Sequence, residues 1–474
     1  MIGRANEQKI LKKMLQSTES EFVAVFGRRR VGKTYLIEEF YKNHLVFQMS
    51  GHKDFTNQEH MKIFVEKMKT NFPKLKLKER NSSWLNIFLN LIQCLESEMQ
   101  KSDRKLVVFF DELPWLCKQR STFLSALGFF WNDWARKKNI VLVVCGSAAS
   151  WMLSNIVKEK GSLYNRVTKL IKVNPFTLSE TKEYLQSKNI HYNIDQLIQI
   201  YMIMGGIPYY LKEIEAGISA VQNIQNICFS QNGLLTHEYS NLYDALFTNS
   251  KDYKKIIEVL FSKKRGLTKI EISEAAKLTP NGEFYDKLEE LVECDFVVEV
   301  QDLSGKTKSN LFRLVDEYSF FYHQFIKKNK SKSDDYWFSQ FNSPVYHAWS
   351  GYAFENFCLR NFDKIIEALR IGGMKLNVGS FYVKKSASSD GAQIDFLLDR
   401  ADDCINIIEC KFYKQEFYLS SDEAKKIKRR KAVFEYQSKT KKQIFITLVI
   451  LGTLIPSRES IGLIDQEINV EVFL

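Results

Sequence analysis

Proline is scarce, seven in 474 residues, and no low-complexity tract interrupts the chain, which argues against long disordered linkers. The eight cysteines form no C-x-x-C pair, so neither a zinc knuckle nor a disulfide framework is indicated. Most of them stand among apolar neighbours, as small core residues of a reducing compartment do. No window nears the roughly 18 consecutive apolar residues of a membrane span. The opening MIGRANEQKI lacks the apolar centre of a signal peptide. Together these absences lead us to expect a cytoplasmic protein with no membrane partner. At roughly 150 residues per domain the length predicts about three domains.

What is there begins with Phe22 to Thr34, FVAVFGRRRVGKT. A run of β-formers feeds a turn in which Gly27 and Gly32 bracket Arg28, Arg29, Arg30 and Val31, followed by Lys33, Thr34 and a helical YLIEEFYKN. This is the pattern G-x-x-x-x-G-K-[ST]. Two glycines let backbone N–H groups curl around a phosphate chain, and the following helix adds the positive end of its dipole. Lys33 can reach the β/γ-phosphates and the Thr34 hydroxyl can ligate Mg²⁺. The expected cofactors are ATP and Mg²⁺.

Further along, Leu106 to Phe110 is a buried strand ending in Asp111-Glu112. Asp111 there would hold Mg²⁺ through water, and Glu112 would polarise the attacking water. A single helix is expected through Trp115, Phe123, Leu127, Phe130, Trp131 and Trp134, then a strand Ile140 to Ser147, with Ser147 placed as a polar sensor. Arg166 precedes a fifth strand, Val167 to Val173. Its planar guanidinium is placed to act as a finger on the γ-phosphate, in cis or toward a neighbouring subunit, so a homo-oligomer stays open. Five apolar strands alternating with helices imply an α/β fold with a parallel sheet covered on both faces.

From Phe176 to about Ser240 the pattern is helical, with Gly205-Gly206 ending one helix and Pro208 opening the next. Ile2-Gly3-Arg4 and Glu7 before the phosphate loop, the loop itself, the Asp111-Glu112 pair and this glycine–proline junction together resemble the archaeal-type AAA+/STAND P-loop ATPase family. The resemblance covers Ile2 to Leu211. It implies a helical lid, ATP-dependent switching and an adenine contact from the segment around Arg4. Asp252 to Arg313 then reads as three helices and a β-hairpin turning at Ser304-Gly305-Lys306, a winged helix-turn-helix pattern. Its third helix is acidic, so a packing role is expected, although Lys306 and Lys308 could touch phosphate.

Lys327 to Asp335, KKNKSKSDD, is expected as a linker. Beyond it, a helix over Gly351 to Phe362 carries Glu355, and Gln393 to Arg400 pairs with Cys404 to Tyr413 as a hairpin carrying Asp395, Glu409 and Lys411. Alternation puts Glu409 and Lys411 on one face. Such a cluster can hold Mg²⁺ or Mn²⁺, Asp395 and Glu409 being the metal ligands, with lysine stabilising an anionic transition state. The pattern of an Asp with E-x-K beginning fourteen positions on resembles the PD-(D/E)XK nuclease core, with Ile394 where that pattern has proline. Between Lys411 and Lys442 stand eleven Lys/Arg against four Asp/Glu, seven of the net twelve positive charges. The run KKIKRRK, Lys425 to Lys431, suits a phosphate-tracking surface, so nucleic acid, DNA in particular, is the expected partner. The chain is expected to close with an apolar strand and a small hairpin.

The expected organisation is an ATPase core over 1–175, a lid over 176–245, a winged helix over 246–326 and a restriction-endonuclease-like α/β domain over 336–474. Nucleotide state would control metal-dependent cleavage by the last domain. A nucleotide-dependent signalling or scaffold ATPase, whose C-terminal domain binds nucleic acid or protein without cutting, stays open beside it.

Overall fold

The five apolar runs of the first third become five parallel strands in the computed structural model: β1 Glu21–Phe26, β2 Leu45–Ser50, β3 Leu106–Asp111, β4 Ile140–Gly146 and β5 Lys169–Lys172. Residues 1–74, 83–118, 121–158, 163–247, 249–303, 310–329, 333, 335–384 and 391–474 are described, except the side chains at 157, 158 and 395. Strand order is β2-β3-β4-β1-β5. Every residue of β1, β3 and β4 is buried, as both faces of a helix-covered parallel sheet require. Because the strands are parallel, the C-terminal ends of β1, β3 and β4 lie at one edge, where an open α/β sheet gathers its ligand-binding residues.

Two details of this unit differ from expectation. The fifth strand starts at Lys169 rather than Val167, because the Thr168 hydroxyl accepts the Phe22 N–H at 3.0 Å and so replaces a ladder bond. The helix expected through Trp115 to Trp134 is broken into Leu113–Leu116 and Phe123–Phe129, the latter widening into a π-turn over Phe130–Trp134. At the break, the Ser121 hydroxyl donates to the Leu116 carbonyl at 2.8 Å, a local bond that competes with helix continuation.

The chain divides into two compact units, Met1–Pro175 and Phe176–Leu474. The second starts with helices, among them Ile194–Met204 and Pro208–Leu211. Gly205 and Gly206 both have positive φ, and a Cβ on Gly206 would meet the Phe176 carbonyl oxygen at 2.1 Å, so the junction tolerates no side chain there. Helices Ser250–Lys263, Lys269–Ala276 and Gly282–Glu293 lead into an antiparallel hairpin, β6 Val297–Asp302 and β7 Asn310–Leu314. Its expected Ser304-Gly305-Lys306 turn and Lys308 lie outside the described residues, as do 330–332 and 334 of the expected linker. After that stretch Trp337 packs back on the helical part. Its backbone N–H donates to the Gln225 side-chain oxygen at 2.9 Å, and its ring stacks on Phe229 with centroids 5.9 Å apart.

The remaining strands are β8 Leu376–Val383, β9 Ala392–Arg400, β10 Cys404–Lys411, β11 Glu416–Phe417, β12 Gln443–Ile450, β13 Thr453–Leu454 and β14 Gln466–Asn469. Five of them join β6 and β7 in one seven-stranded mixed sheet in the order β14-β12-β10-β9-β8-β6-β7. The β6–β7 hairpin thus extends the C-terminal sheet, β6 running parallel to β8 at Gln301–Gly379 and Asp302–Ser380. Among the described residues no terminal hairpin forms. The last strands instead pair in parallel, β13 with β11 and β14 with β12, and the Asn469 amide, bonded to the Gly452 carbonyl at 2.7 Å, ties down the return of the chain. Among the described residues no helix is long and apolar enough to cross a membrane.

Candidate nucleotide site and C-terminal carboxylate cluster

β1 delivers the chain into the glycine-bracketed loop at the sheet edge. Gly27 has φ 144°, and a Cβ there would meet the Val173 carbonyl oxygen at 2.3 Å, so only glycine fits against the end of β5. Arg30 and Gly32 follow with φ 73° and 88°, turning the backbone into the helix Lys33–Tyr41. Arg28 is buried and Arg29 exposed. The Lys33 ammonium curls beneath the loop, donating to the carbonyls of Gly27 and Arg28, each at 2.9 Å, and to the Ser147 hydroxyl at 3.0 Å.

The ends of β3 and β4 complete this constellation. The Thr34 hydroxyl donates to Asp111 Oδ2 at 2.7 Å. Glu112 has φ 45°, a left-handed conformation that redirects the chain just past the strand. Its carboxylate receives the Ser147 hydroxyl at 2.5 Å and the Ser147 N–H at 3.3 Å. Ser147 thus joins the phosphate-seeking lysine to the acid read as polarising water. Burial, followed by the charge of Glu112, raises the Asp111 carboxyl above the ordinary aspartate range, against the hydrogen bonds from Thr34, Cys145 and the Glu112 N–H. A buried carboxylate beside a hydroxyl oxygen is the hard-oxygen donor set that suits Mg²⁺.

Arg4, expected to belong to an adenine-contacting segment, has another visible role. It is 4% exposed, and its guanidinium donates to the Val31 carbonyl at 2.7 Å and to the Asn174 carbonyl. It therefore ties the crest of the phosphate loop to the chain leaving β5. Arg166 lies in an exposed turn, and its side chain makes no hydrogen bond or ion pair among the described residues. The structure does not bring it to Lys33, Asp111 or Glu112 through any such contact.

In the second unit, Glu355 on the helix Pro344–Arg360 and Glu409 on β10 line one small cavity of about 20 Å³, room for about one water molecule. Two arginines share it. Arg313 on β7 pairs with Glu355 at 3.2 Å and donates to Asn356 at 2.9 Å. Arg430, on the helix Ser421–Ser438, pairs with Glu409 at 2.9 Å. Cys410, which lines the same cavity, has its thiol pushed far up by its hydrogen bond to Cys358, by burial, and by the charges of Cys358, Glu355 and Glu409.

Lys411 turns instead to Glu423 at 2.8 Å. Burial works to raise the Glu423 carboxyl, yet the Lys411 and Ser420 hydrogen bonds and the lysine charge hold it below its ordinary range. Asp395 belongs to β9, but its side chain lies outside the described residues. Among the described residues no three His, Cys, Asp or Glu side chains converge to hold a metal. Beside the small cavity opens a cleft of about 520 Å³ whose lining includes Lys384, Lys411, Lys426, Arg429 and Arg430. Glu423 is the acidic residue among its described lining. Sequence reasoning marked Arg430 only as part of a basic run and missed Arg313, which carries no local signal.

Compared with known proteins, residues 1–214 match the family described as an ATPase domain predominantly from Archaea. The uncharacterized protein MJECL04 of Methanocaldococcus jannaschii is 25% identical over 361 residues, 75% of each chain. Among solved structures, the Walker-type ATPase PABY2304 of Pyrococcus abyssi aligns 95% of its length with 68% of this chain, at 18% identity and a TM-score of 0.47. The Aeropyrum pernix ORC2 protein in its ADPNP–ADP complexes aligns 95% of its length with 70% of this chain, at 14% identity and a TM-score of 0.42.

Proposed function

From the archaeal-type P-loop ATPase domain carried by residues 1–214, we propose that the protein binds and hydrolyses ATP and that its second unit engages DNA. The observation that carries the first part is the Lys33–Ser147–Glu112 chain of hydrogen bonds beside the Thr34–Asp111 pair. In this reading the loop amides and Lys33 bind the β/γ-phosphates, and Glu112 orients and polarises the attacking water. Thr34 and Asp111 would hold Mg²⁺, which when bound supplies positive charge to the phosphate oxygens. Ser147 keeps Glu112 aimed, and Arg166 is assigned the finger role.

The basic cleft supports the second part, since clustered lysines and arginines along a groove suit a phosphodiester backbone. The three helices and hairpin before it are assigned as a winged helix that packs rather than reads bases. Metal-dependent cleavage is the second reading, favoured by Glu355 and Glu409 meeting at one cavity in a PD-(D/E)XK-like arrangement. As the side chains stand, the donor set does not fit a divalent cation, because each of these carboxylates is paired with a guanidinium. ATP turnover coupled to DNA access would link the two activities.

The test is ATP hydrolysis with and without duplex DNA. Lys33→Ala should abolish turnover, and Glu112→Gln should retain ATP binding while lowering kcat by roughly 10² or more, the scale of a lost general base. Normal hydrolysis by Lys33→Ala would overturn the assignment. Plasmid nicking compared between the natural protein, Glu409→Ala and Lys411→Ala addresses cleavage, and equal residual nicking in all three removes it.

A further inference from the structure

Tyr382, on β8, lines the basic cleft, whose exposed cations include Lys384, Lys426 and Arg429. The Arg265 guanidinium lies over the Tyr382 ring, with Cζ 4.5 Å from the centroid. Arg265 is not among the described residues that line the cleft, so the ring face it covers is not the one the cleft exposes. The guanidinium is itself fixed. Its Nη2 donates to Glu271 at 2.8 Å, and Glu271 also accepts the Thr268 N–H at 2.8 Å. Leu267, two residues on, exchanges backbone hydrogen bonds with Phe312 on β7 at 3.0 and 2.8 Å, which pins the segment to the sheet. A planar cation stacked on a tyrosine is thus built into the wall of a phosphate-attracting groove.

We propose that Tyr382 is a base-stacking platform and that the second unit takes DNA as a single strand. This rests on the reading that the second unit engages DNA. Phosphates follow Lys384, Lys426 and Arg429 while a base lies on the Tyr382 ring, extending the stack that Arg265 begins. Cations that track the backbone and an aromatic ring for the bases are the two parts that single-strand binding combines. Size points the same way. A cleft of about 520 Å³ falls within the ~300–1,000 Å³ of a pocket for a small organic molecule, room for roughly one or two nucleotides. A double helix keeps its bases stacked on one another, so their faces never reach the ring. Charge alone would give the reverse preference, because duplex DNA carries a phosphate about every 1.7 Å of its axis and is denser in charge than one strand. Since Arg265 holds the ring before DNA arrives, little ordering remains to oppose binding.

The experiment is fluorescence anisotropy with the full chain, in chelator, without ATP and at one salt concentration. It compares labelled oligonucleotides of equal length: oligo-dT, a duplex, and an abasic strand that keeps sugars and phosphates but has no bases. Oligo-dT should bind the natural protein at least about fivefold more tightly than either, the lower bound for one stacked base. Tyr382→Leu should lose at least about fivefold on oligo-dT and less than about twofold on the other two, whereas Tyr382→Phe, which keeps the ring, should match the natural protein. A tyrosine that only packs would weaken all the ligands alike. If Tyr382→Leu melts early, the natural protein still decides, because a strand carrying 5-iodouracil should photocross-link to Tyr382, located by mass spectrometry.

A smaller preference for oligo-dT overturns the platform alone. So does a Tyr382→Leu loss that is below about fivefold, matched on the abasic strand or shared by Tyr382→Phe, and so do cross-links that miss Tyr382. Failure of every oligonucleotide to bind overturns the reading beneath it.

Discussion

Ser147 donates both its hydroxyl and its backbone N–H to the Glu112 carboxylate, at 2.5 and 3.3 Å, while its oxygen accepts Lys33. The two residues directly follow neighbouring strands, β4 and β3, so this contact couples the acid to the lysine of the phosphate loop. A carboxylate gripped from two directions has few rotamers left, which is what aiming a water molecule requires.

Removing that grip should harm chemistry more than binding. Ser147→Ala is expected to lower kcat for ATP roughly 10- to 100-fold, less than loss of Glu112 itself, with KM changed less than about threefold. Steady-state kinetics decides, and an unchanged kcat would sink the aiming role.

Arg4 predicts a stability effect with a functional echo. Arg4→Ala strips the Val31 and Asn174 carbonyls of a charged donor, and hydrogen bonds to charged groups are worth about 1.5–3 kcal/mol each. Unfolding by urea should show a loss of about 2–4 kcal/mol, and the KM for ATP should rise as the loop crest loosens. A KM left intact in a destabilised variant would confine Arg4 to scaffolding.

Arg313 and Glu355 lend themselves to a double-mutant cycle. Glu355 is about a quarter exposed, so Arg313→Ala alone should cost about 2 kcal/mol, below the 3–5 kcal/mol of a fully buried pair. Adding Glu355→Ala should recover part of that loss, because the uncompensated charge goes with it. Additive losses in urea melts would show that the pair contributes nothing specific.

The pH dependence of the second unit has a traceable source in His323. Burial, helped by the Lys327 charge and opposed by Glu258, lowers its imidazole from 6.5 to about 4. A depressed histidine binds its proton more tightly when unfolded. Stability is therefore full above about pH 6.5, declines as the pH falls toward 4, and loses about 3 kcal/mol in all. Between pH 7.5 and 5 the loss should be about 2 kcal/mol, and His323→Phe should flatten that component of the urea-melt profile. Parallel profiles for the two proteins would place the dependence elsewhere.

Much of this was legible because its causes are local. The turn from Gly27 to Thr34 carries its two glycines at positive-φ positions, Arg30 taking the third, and the two glycines are separated by the length of the loop itself. A capping box forms between Thr268 and Glu271, since both partners lie within one helical turn. The β9–β10 pair forms with Ala401 to Asp403 between its strands because two apolar runs with a short polar break have one easy way to pair.

By itself, then, the sequence determined the nucleotide loop, the parallel sheet that presents it and the alternation that puts Glu409 and Lys411 on one side of a strand. Tertiary structure alone decided which cation meets which anion. Arg4 reaches Val31 across 27 positions, Arg430 reaches Glu409 across 21, and Arg313 on β7 reaches Glu355 across 42. It also decided that β6 would join β8 and make the hairpin part of the C-terminal sheet. The physical reason is range. Backbone conformation and hydrophobic period are set by near neighbours, whereas a charge pairs with whatever the folded path of the chain brings within a few ångströms.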